Sequence, residues 1–194
     1  MCMIKIGKDI SSFSAYSCQP KTKKELKEII NDRIRKQGTN CDLNDIDVSL
    51  ITSMSYLFYD SKFNGDISDW NVSNVIDMNC MFAYSYFDGD ISKWDVSKVK
   101  NMTGMFTYAD FNQPIGDWDV SSVKVMTSMF ERSMFDQDIS KWNTSKIEDM
   151  YYMFAGSKFS KDISNWKINI NCNTTGMFAG CSIKEEHKPK SIQK

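Results

Sequence analysis

The 194-residue sequence predicts an α/β repeat protein: a right-handed solenoid with one short parallel strand and one short helix or 3₁₀ turn per 24-residue unit, closed at its N-terminal end by a capping helix. Two observations set the period. Trp70, Trp94, Trp118, Trp142 and Trp166 are the 5 tryptophans of the chain, and each stands 24 residues from the next. Phe58, Phe82, Phe106, Phe130, Phe154 and Phe178 keep the same step, as do Phe63, Phe87, Phe111, Phe135 and Phe159, which leaves Phe13 alone outside the two files. Met54, Met78, Met102, Met126 and Met150 form a further file, and Met81, Met105, Met129, Met153 and Met177 another. A fixed period of about 20 to 50 residues, carried by the bulkiest side chains, marks units that bury their apolar faces only against their neighbours. A capping box followed by an apolar stripe is the third observation, and it supplies the N-terminal helix.

Each unit begins at Ile67, Ile91, Ile115, Ile139 or Ile163 and reads Ile-x-x-Trp-x-Val-Ser-x-Val-x-x-Met-x-x-Met-Phe, with a second Phe about four residues on. The opening spacing, apolar at positions 1, 4 and 6, matches the frame of leucine-rich repeats, so the fold is leucine-rich-repeat-like, with a strand running through the Trp and Val. Leu43, Ile46 and Val48 extend it one unit toward the N-terminus. Alternation along that strand places Trp and Val inside and their neighbours outside. Val75, Met78, Met81 and Phe82 follow at steps of 3, 3 and 1, which fits a short helix or 3₁₀ turn on the outer side. Residues 43–183 thus form the solenoid of five to six repeats, with about six parallel strands.

The phrase "DISKWDVSKVKNMTGMF" and its sister copies resemble the repeats of the BspA-like leucine-rich-repeat surface proteins, including those repeated in mycoplasma lipoproteins. The resemblance covers about residues 43–183, and "PKTKKELKEII" is similar to the segment that precedes such repeats. It implies a solenoid used for adhesion or protein interaction, usually at a bacterial surface.

Residues 1–42 form the N-terminal cap. Thr22 and Glu25 make a capping box, Leu26, Ile29, Ile30 and Ile34 make one apolar stripe, and Gly38 suits a stop, so residues 22–37 read as an amphipathic helix over the open end of the first repeat. "DISSFSA" from Asp9 echoes "DISDWNV", with Phe13 in the tryptophan position, as a degenerate zeroth repeat. At the other end Asn171 and Thr174 replace the Val and Met of their files, while Met177, Phe178 and Ile183 persist. Residues 184–194 read as a disordered, solvated tail.

A formal net charge of −1 and a pI near 5.9 argue against nucleic acid or an anionic membrane as partner. No apolar run is long enough to span a bilayer, and the N-terminal residues show no apolar h-region. The expectation is therefore a chain that stays in the cell or has lost a targeting segment, set against the surface location that the resemblance implies. The 6 cysteines are irregularly spread without a CxxC pair and read as half-buried free thiols.

Catalytic chemistry has little to work with. His187, the 1 histidine, falls in the tail, so a Ser-His, Cys-His or His-ligated site would need a disordered residue. The expectation is a protein without enzymatic activity, cofactor or metal. Asp42, Asp66, Asp90, Asp138 and Asp162 form a file, broken by Pro114, that a calcium ion could use. The favoured reading is that each accepts a hydrogen bond from the backbone two residues on and fixes the turn into the strand. The outward strand positions make the candidate binding face. One file reads Asp45, Asp69, Lys93, Asp117, Lys141, Asn165 and the next Asp47, Asn71, Asp95, Asp119, Asn143, Lys167, with charge pairing between neighbours as the structural reading. Asp69, Asn71, Lys93, Asp95, Asp117, Asp119, Lys141 and Asn143 are the candidate partner-binding residues. Tyr56, Tyr84, Tyr108, Tyr151 and Tyr152 lie on the opposite, outer side. The function these features predict is a monomeric protein-interaction or adhesion module with a protein partner; a self-assembling scaffold is the alternative.

Overall fold

The computed structural model describes residues 16–193. The proposed zeroth repeat around Phe13 lies outside them. The first element, α1 (Lys23–Gln37), starts where the Thr22 hydroxyl accepts from the Glu25 N–H at 3.2 Å, and the Glu25 carboxylate in turn accepts from the Lys21 N–H at 2.7 Å. These contacts satisfy donors that every helix start leaves open. Gly38, with φ of 90°, ends α1 and returns its N–H to the Ile34 carbonyl. Leu26 and Ile30 are fully buried against the first repeat.

Beyond α1 the chain is a stack of 24-residue coils built almost entirely of β-turns. The Trp70 N–H donates to the Ile67 carbonyl, Val75 to Val72, Met81 to Met78 and Ser85 to Phe82, all within one coil. The apolar residues thus stand at the first and fourth positions of successive turns, and each turn points both of them inward. This overturns the leucine-rich-repeat-like reading. Among the described residues there is no strand and no sheet, and α1 is the only α-helix. A strand needs consecutive extended residues, whereas here the chain bends within every three or four. What joins neighbouring coils is a file of single parallel bridges, Ser53 with Asp77, Asp77 with Asn101, Asn101 with Val125, Val125 with Asp149 and Asp149 with Asn173.

The expected outer helix is replaced for a specific reason. Two residues per coil are left-handed. Tyr56, Cys80, Gly104, Ser128, Tyr152 and Gly176 form one file and Asp60, Tyr84, Tyr108, Arg132, Gly156 and Gly180 the other, all with φ between 50° and 66°. Each is the third residue of a turn, the position that type II turns require to be left-handed. Its effect is to swing the central peptide of the turn onto the stack axis. The Cys80 N–H then reaches down to the Thr103 carbonyl at 2.8 Å, while the Asn79 carbonyl accepts from the Tyr56 N–H of the coil before at 2.9 Å. Tyr84 and Ala83 do the same toward Thr107 and Asp60. A non-glycine residue in this region costs about 1 to 2 kcal/mol, and the axial hydrogen bonds offset it.

Aromatic rings fill the interior. Phe58, Phe82, Phe106, Phe130 and Phe154 stack at centroid spacings of 5.4, 5.7, 5.7 and 5.5 Å, and Phe178 continues the file at 5.7 Å. The second file runs beside it, Phe111 lying 4.1 Å from Phe106. Each indole is buried and donates to a carbonyl of the coil before, Trp70 to Leu43 at 2.9 Å and the other four to the isoleucine at that position, as Trp94 to Ile67 at 3.1 Å and Trp118 to Ile91 at 3.1 Å. Buried polar residues are satisfied in place: Thr144, which stands in the valine file, gives its hydroxyl to the Lys167 carbonyl at 3.2 Å, and Ser85 and Ser133 give theirs to the Phe82 and Phe130 carbonyls at 2.7 and 3.0 Å.

The two ends are closed differently. At the N-terminal end no backbone N–H among the described residues donates to the Ser55 and Leu57 carbonyls of the first coil. The Lys23 ammonium of α1 donates to Ser55 O at 3.2 Å and that of Lys27 to Leu57 O, and burial pushes the Lys27 ammonium below its ordinary pKa. Arg33 pairs with Asp45 at 2.7 Å, drawing α1 onto the same edge. At the C-terminal end the residues read as a disordered tail fold back instead, forming 3₁₀ turns at Glu185–His187 and Lys190–Ile192. The His187 carbonyl accepts from the Ile163 N–H at 3.0 Å, its ring lies 3.2 Å from Ser160 O, and Pro189 is buried. The tail is polar in composition but fills an edge that would otherwise leave Ile163 unpaired.

Because rings in the middle of the file are packed on both faces, Phe106→Ala should destabilise the chain by about 3 to 5 kcal/mol. Phe178→Ala, at a half-buried terminal ring, should cost clearly less. Urea unfolding of the two variants checks the order.

Candidate functional site

The eight candidate binding residues are all exposed, and the 24-residue register sets them in two adjacent files on one side of the stack. The second file is occupied with holding its own turns. Asn71, Asp95, Asp119 and Asn143 each accept through Oδ1 from the backbone amide two residues on, at 3.2, 3.0, 3.0 and 3.3 Å. Asn71 and Asn143 also accept from the serine hydroxyl there, each at 2.7 Å. In the first file Lys141 pairs with Asp117 at 2.7 Å, both largely exposed, a contact of small energetic value. The Asp69 backbone amide is taken by Asn44 Oδ1, and Lys93 stands in solvent.

The aspartate file that suggested calcium follows the same rule. Asp42, Asp66, Asp90, Asp138 and Asp162 accept from the amides of Asn44, Ser68, Ser92, Ser140 and Ser164 at 2.8 to 2.9 Å. The turns they fix lead into further turns rather than into strands. No group of three or more His, Cys, Asp or Glu able to hold a metal occurs among the described residues. The backbone amide and then the hydroxyl of the following serine hold the Asp66, Asp90, Asp138 and Asp162 carboxylates below their usual range; for Asp95 and Asp119 the hydroxyl leads. At Asp45 burial pushes upward, but hydrogen bonds from Arg33 and Ser17 outweigh it.

A different surface gathers the large exposed side chains. It is the face that carries the left-handed turns, read from the sequence as the outer helical side. Tyr59 lies 5.6 Å from Tyr84, Tyr84 stacks on Tyr108 at 4.9 Å and 12°, and the Arg132 guanidinium sits 5.3 Å over the Tyr108 ring. Tyr56 joins Tyr59 at 5.5 Å, and Tyr86 and Met134 are exposed on the same coils. Tyr151 and Tyr152 contact each other at 4.3 Å farther along. Tyr59, Tyr86 and Arg132 escaped the sequence reading. The signal for Arg132 is its place 24 residues after Tyr108, in the file that runs from Asp60 through Tyr84.

Lowered carboxylates bind fewer protons in the folded chain than in the unfolded one, so their contribution to stability is complete above the ordinary carboxylate range and is lost as pH falls through their folded values. The urea midpoint should therefore drop between pH 6 and about pH 3. In Asp95→Asn with Asp119→Asn the drop should shrink while the fold at neutral pH persists, because Asn already serves at positions 71 and 143.

The family model described as "Mycoplasma protein of unknown function, DUF285" matches the chain twice, over residues 25–134 and 84–190. No curated protein and no solved structure matches it. The two matched spans run from α1 through every coil to the C-terminal turns, and the chain is a repeat protein that belongs to the DUF285 family of mycoplasma proteins.

Proposed function

We propose that this protein is a non-catalytic interaction module that docks a partner protein through its tyrosine face. One observation carries the reading: a stack of exposed tyrosines ending in an arginine, Tyr59, Tyr84, Tyr108 and Arg132, on a backbone hydrogen-bonded from coil to coil. Tyr and Arg are the residue types that dominate binding energy at protein interfaces, and stacked rings lose little rotamer freedom when a partner covers them. A contiguous exposed aromatic patch is also uncommon on a chain that functions alone. The polar files are the rival surface. Their weaker claim follows from chemistry: most of their acceptors already serve the chain's own turns, and a partner would have to compete for them.

The resemblance of the repeat phrases to those of BspA-like surface proteins supports reading this docking as adhesion at a bacterial cell surface. Self-assembly into a scaffold is disfavoured, because α1 lies over the carbonyl edge at the N-terminal end, where Lys23 and Lys27 take the acceptors that the last coil of another copy would need. The module therefore works as a monomer.

The test starts from a partner recovered on the immobilised chain from host extract and identified by mass spectrometry, then measured against two variants. Tyr84→Ser with Tyr108→Ser should lose binding by at least tenfold, whereas Asp117→Lys with Asp119→Lys should keep it. The reverse pattern moves the site to the polar files. A size-exclusion peak that shifts with concentration contradicts the monomer.

A further inference from the structure

The two ends of the bridge file are not equivalent. Inside the stack every coil donates N–H groups from alternate residues to the carbonyls of the next: Met150, Tyr152, Phe154 and Gly156 donate to Asn173, Thr175, Met177 and Ala179 at 2.8, 3.1, 2.9 and 2.8 Å. One coil on, the same positions are Thr174, Gly176, Phe178 and Gly180. Their N–H groups have no acceptor among the described residues. At the N-terminal end the corresponding orphan carbonyls of Ser55 and Leu57 take the ammonium groups of Lys23 and Lys27. The C-terminal tail does not do the same. Glu185, which lines the groove beside this edge, pairs with Lys188 at 2.5 Å, and the tail's bonds to the coils go to Ile163 and Ser160.

What remains is a groove with a donor edge. Thr174, Gly176 and Phe178 form one wall, and Glu185, Lys188 and Ile192 of the tail the other. Both left-handed positions of this last coil are glycine, so no side chain stands between the edge and an approaching backbone. The Phe178 ring is half-buried, with the Lys188 ammonium 5.8 Å from its centroid.

We infer that this edge is a second binding site, which takes an extended segment of a partner polypeptide and pairs that segment's carbonyls, at alternate residues, with the amides of Thr174, Gly176, Phe178 and Gly180. The polarity of the edge selects the occupant. Four donors at two-residue spacing match only a backbone that offers carbonyls at the same spacing, the pairing by which extended peptides add to open edges. A second copy does not fit. Two such edges face to face set N–H against N–H, and the carbonyl edge at the other end lies under α1. Side-chain selection comes from Phe178 and Ile192, which favour an apolar residue at the middle of the segment. The site is separate from the tyrosine face and stands or falls independently of it.

The probe is the octapeptide Asn-Thr-Thr-Gly-Met-Phe-Ala-Gly, acetylated and amidated, which has the sequence of residues 173–180, the acceptor segment of the last internal junction. Amide hydrogen exchange followed by NMR on the full chain reads the outcome. In the free chain the amides of Thr174, Gly176, Phe178 and Gly180 should exchange quickly while those of Met150, Tyr152, Phe154 and Gly156 are protected. Millimolar peptide should slow exchange at those four and move their resonances. Thr174→Pro, which removes one donor that the chain itself does not use, should weaken the peptide about fivefold. Shifts confined to other surfaces, or no shifts at all, overturn the proposal. So does protection of the four amides in the free chain, whether constant or rising with protein concentration, the latter naming a second copy as occupant. The exchange comparison on the unmodified chain holds even if the proline variant fails to fold.

Discussion

Everything in this molecule depends on the central peptide of a turn lying along the stack axis. A turn whose third residue is right-handed would point that peptide elsewhere, and neighbouring coils would share no backbone bonds at these positions. With Cys80 and Tyr84 left-handed, each coil both accepts from the coil before and donates to the coil after, through Asn79, Cys80, Ala83 and Tyr84. These bonds hold the coils in register, and the register in turn fixes the spacing at which the rings meet. Phe82 and Phe106 stack at 5.7 Å and 2° because their backbones are one coil apart. Backbone bonding and ring packing are thus two expressions of one repeat, and the conformational strain at eight non-glycine positions is sustained by both.

The same device decides which surface is free to bind. On the side of Asp95 and Asp119 the polar side chains stand in for backbone acceptors and close the turns themselves. On the side of the left-handed residues the backbone completes its own bonding along the axis. Side chains there are released from structural duty, so Tyr84, Tyr108 and Arg132 stand exposed and touch mainly one another. The ends follow the same logic. A stack bonded along its axis presents carbonyls at one terminus and amides at the other, and α1 answers the first with lysines while the tail leaves the second open.

The sequence made the interior legible and the backbone illegible. Files of Trp, Phe and Met at one period identify residues that meet in the core, and the buried rings of the Phe82 and Trp94 files are those residues. The capping box at Thr22 and the stripe from Leu26 to Ile34 likewise suffice to write α1. Steps of three, however, serve a helical turn and a β-turn equally well, because both bring first and fourth residues to one side. What separates them is a left-handed residue, and the file that carries it reads Tyr, Cys, Gly, Ser, Tyr, Gly. Only its glycines advertise the conformation; Cys80 and Tyr152 adopt it under pressure from the stack. The order of the tail is hidden for a related reason, since the bond from the Ile163 N–H to the His187 carbonyl uses backbone atoms that no side-chain pattern reveals.

Coils of turns with left-handed residues, rather than strands and helices, build this repeat. Solution NMR of the full chain tests it through the intraresidue amide-to-Hα contact, which is short only in left-handed residues. Strong contacts at Tyr56, Cys80, Tyr84, Tyr108, Ser128, Arg132 and Tyr152, with no run of strand-like shifts through the Trp-x-Val segments, are the predicted result. Continuous strand shifts at residues 68–72 and helical shifts at 75–82, repeated every coil, would contradict it.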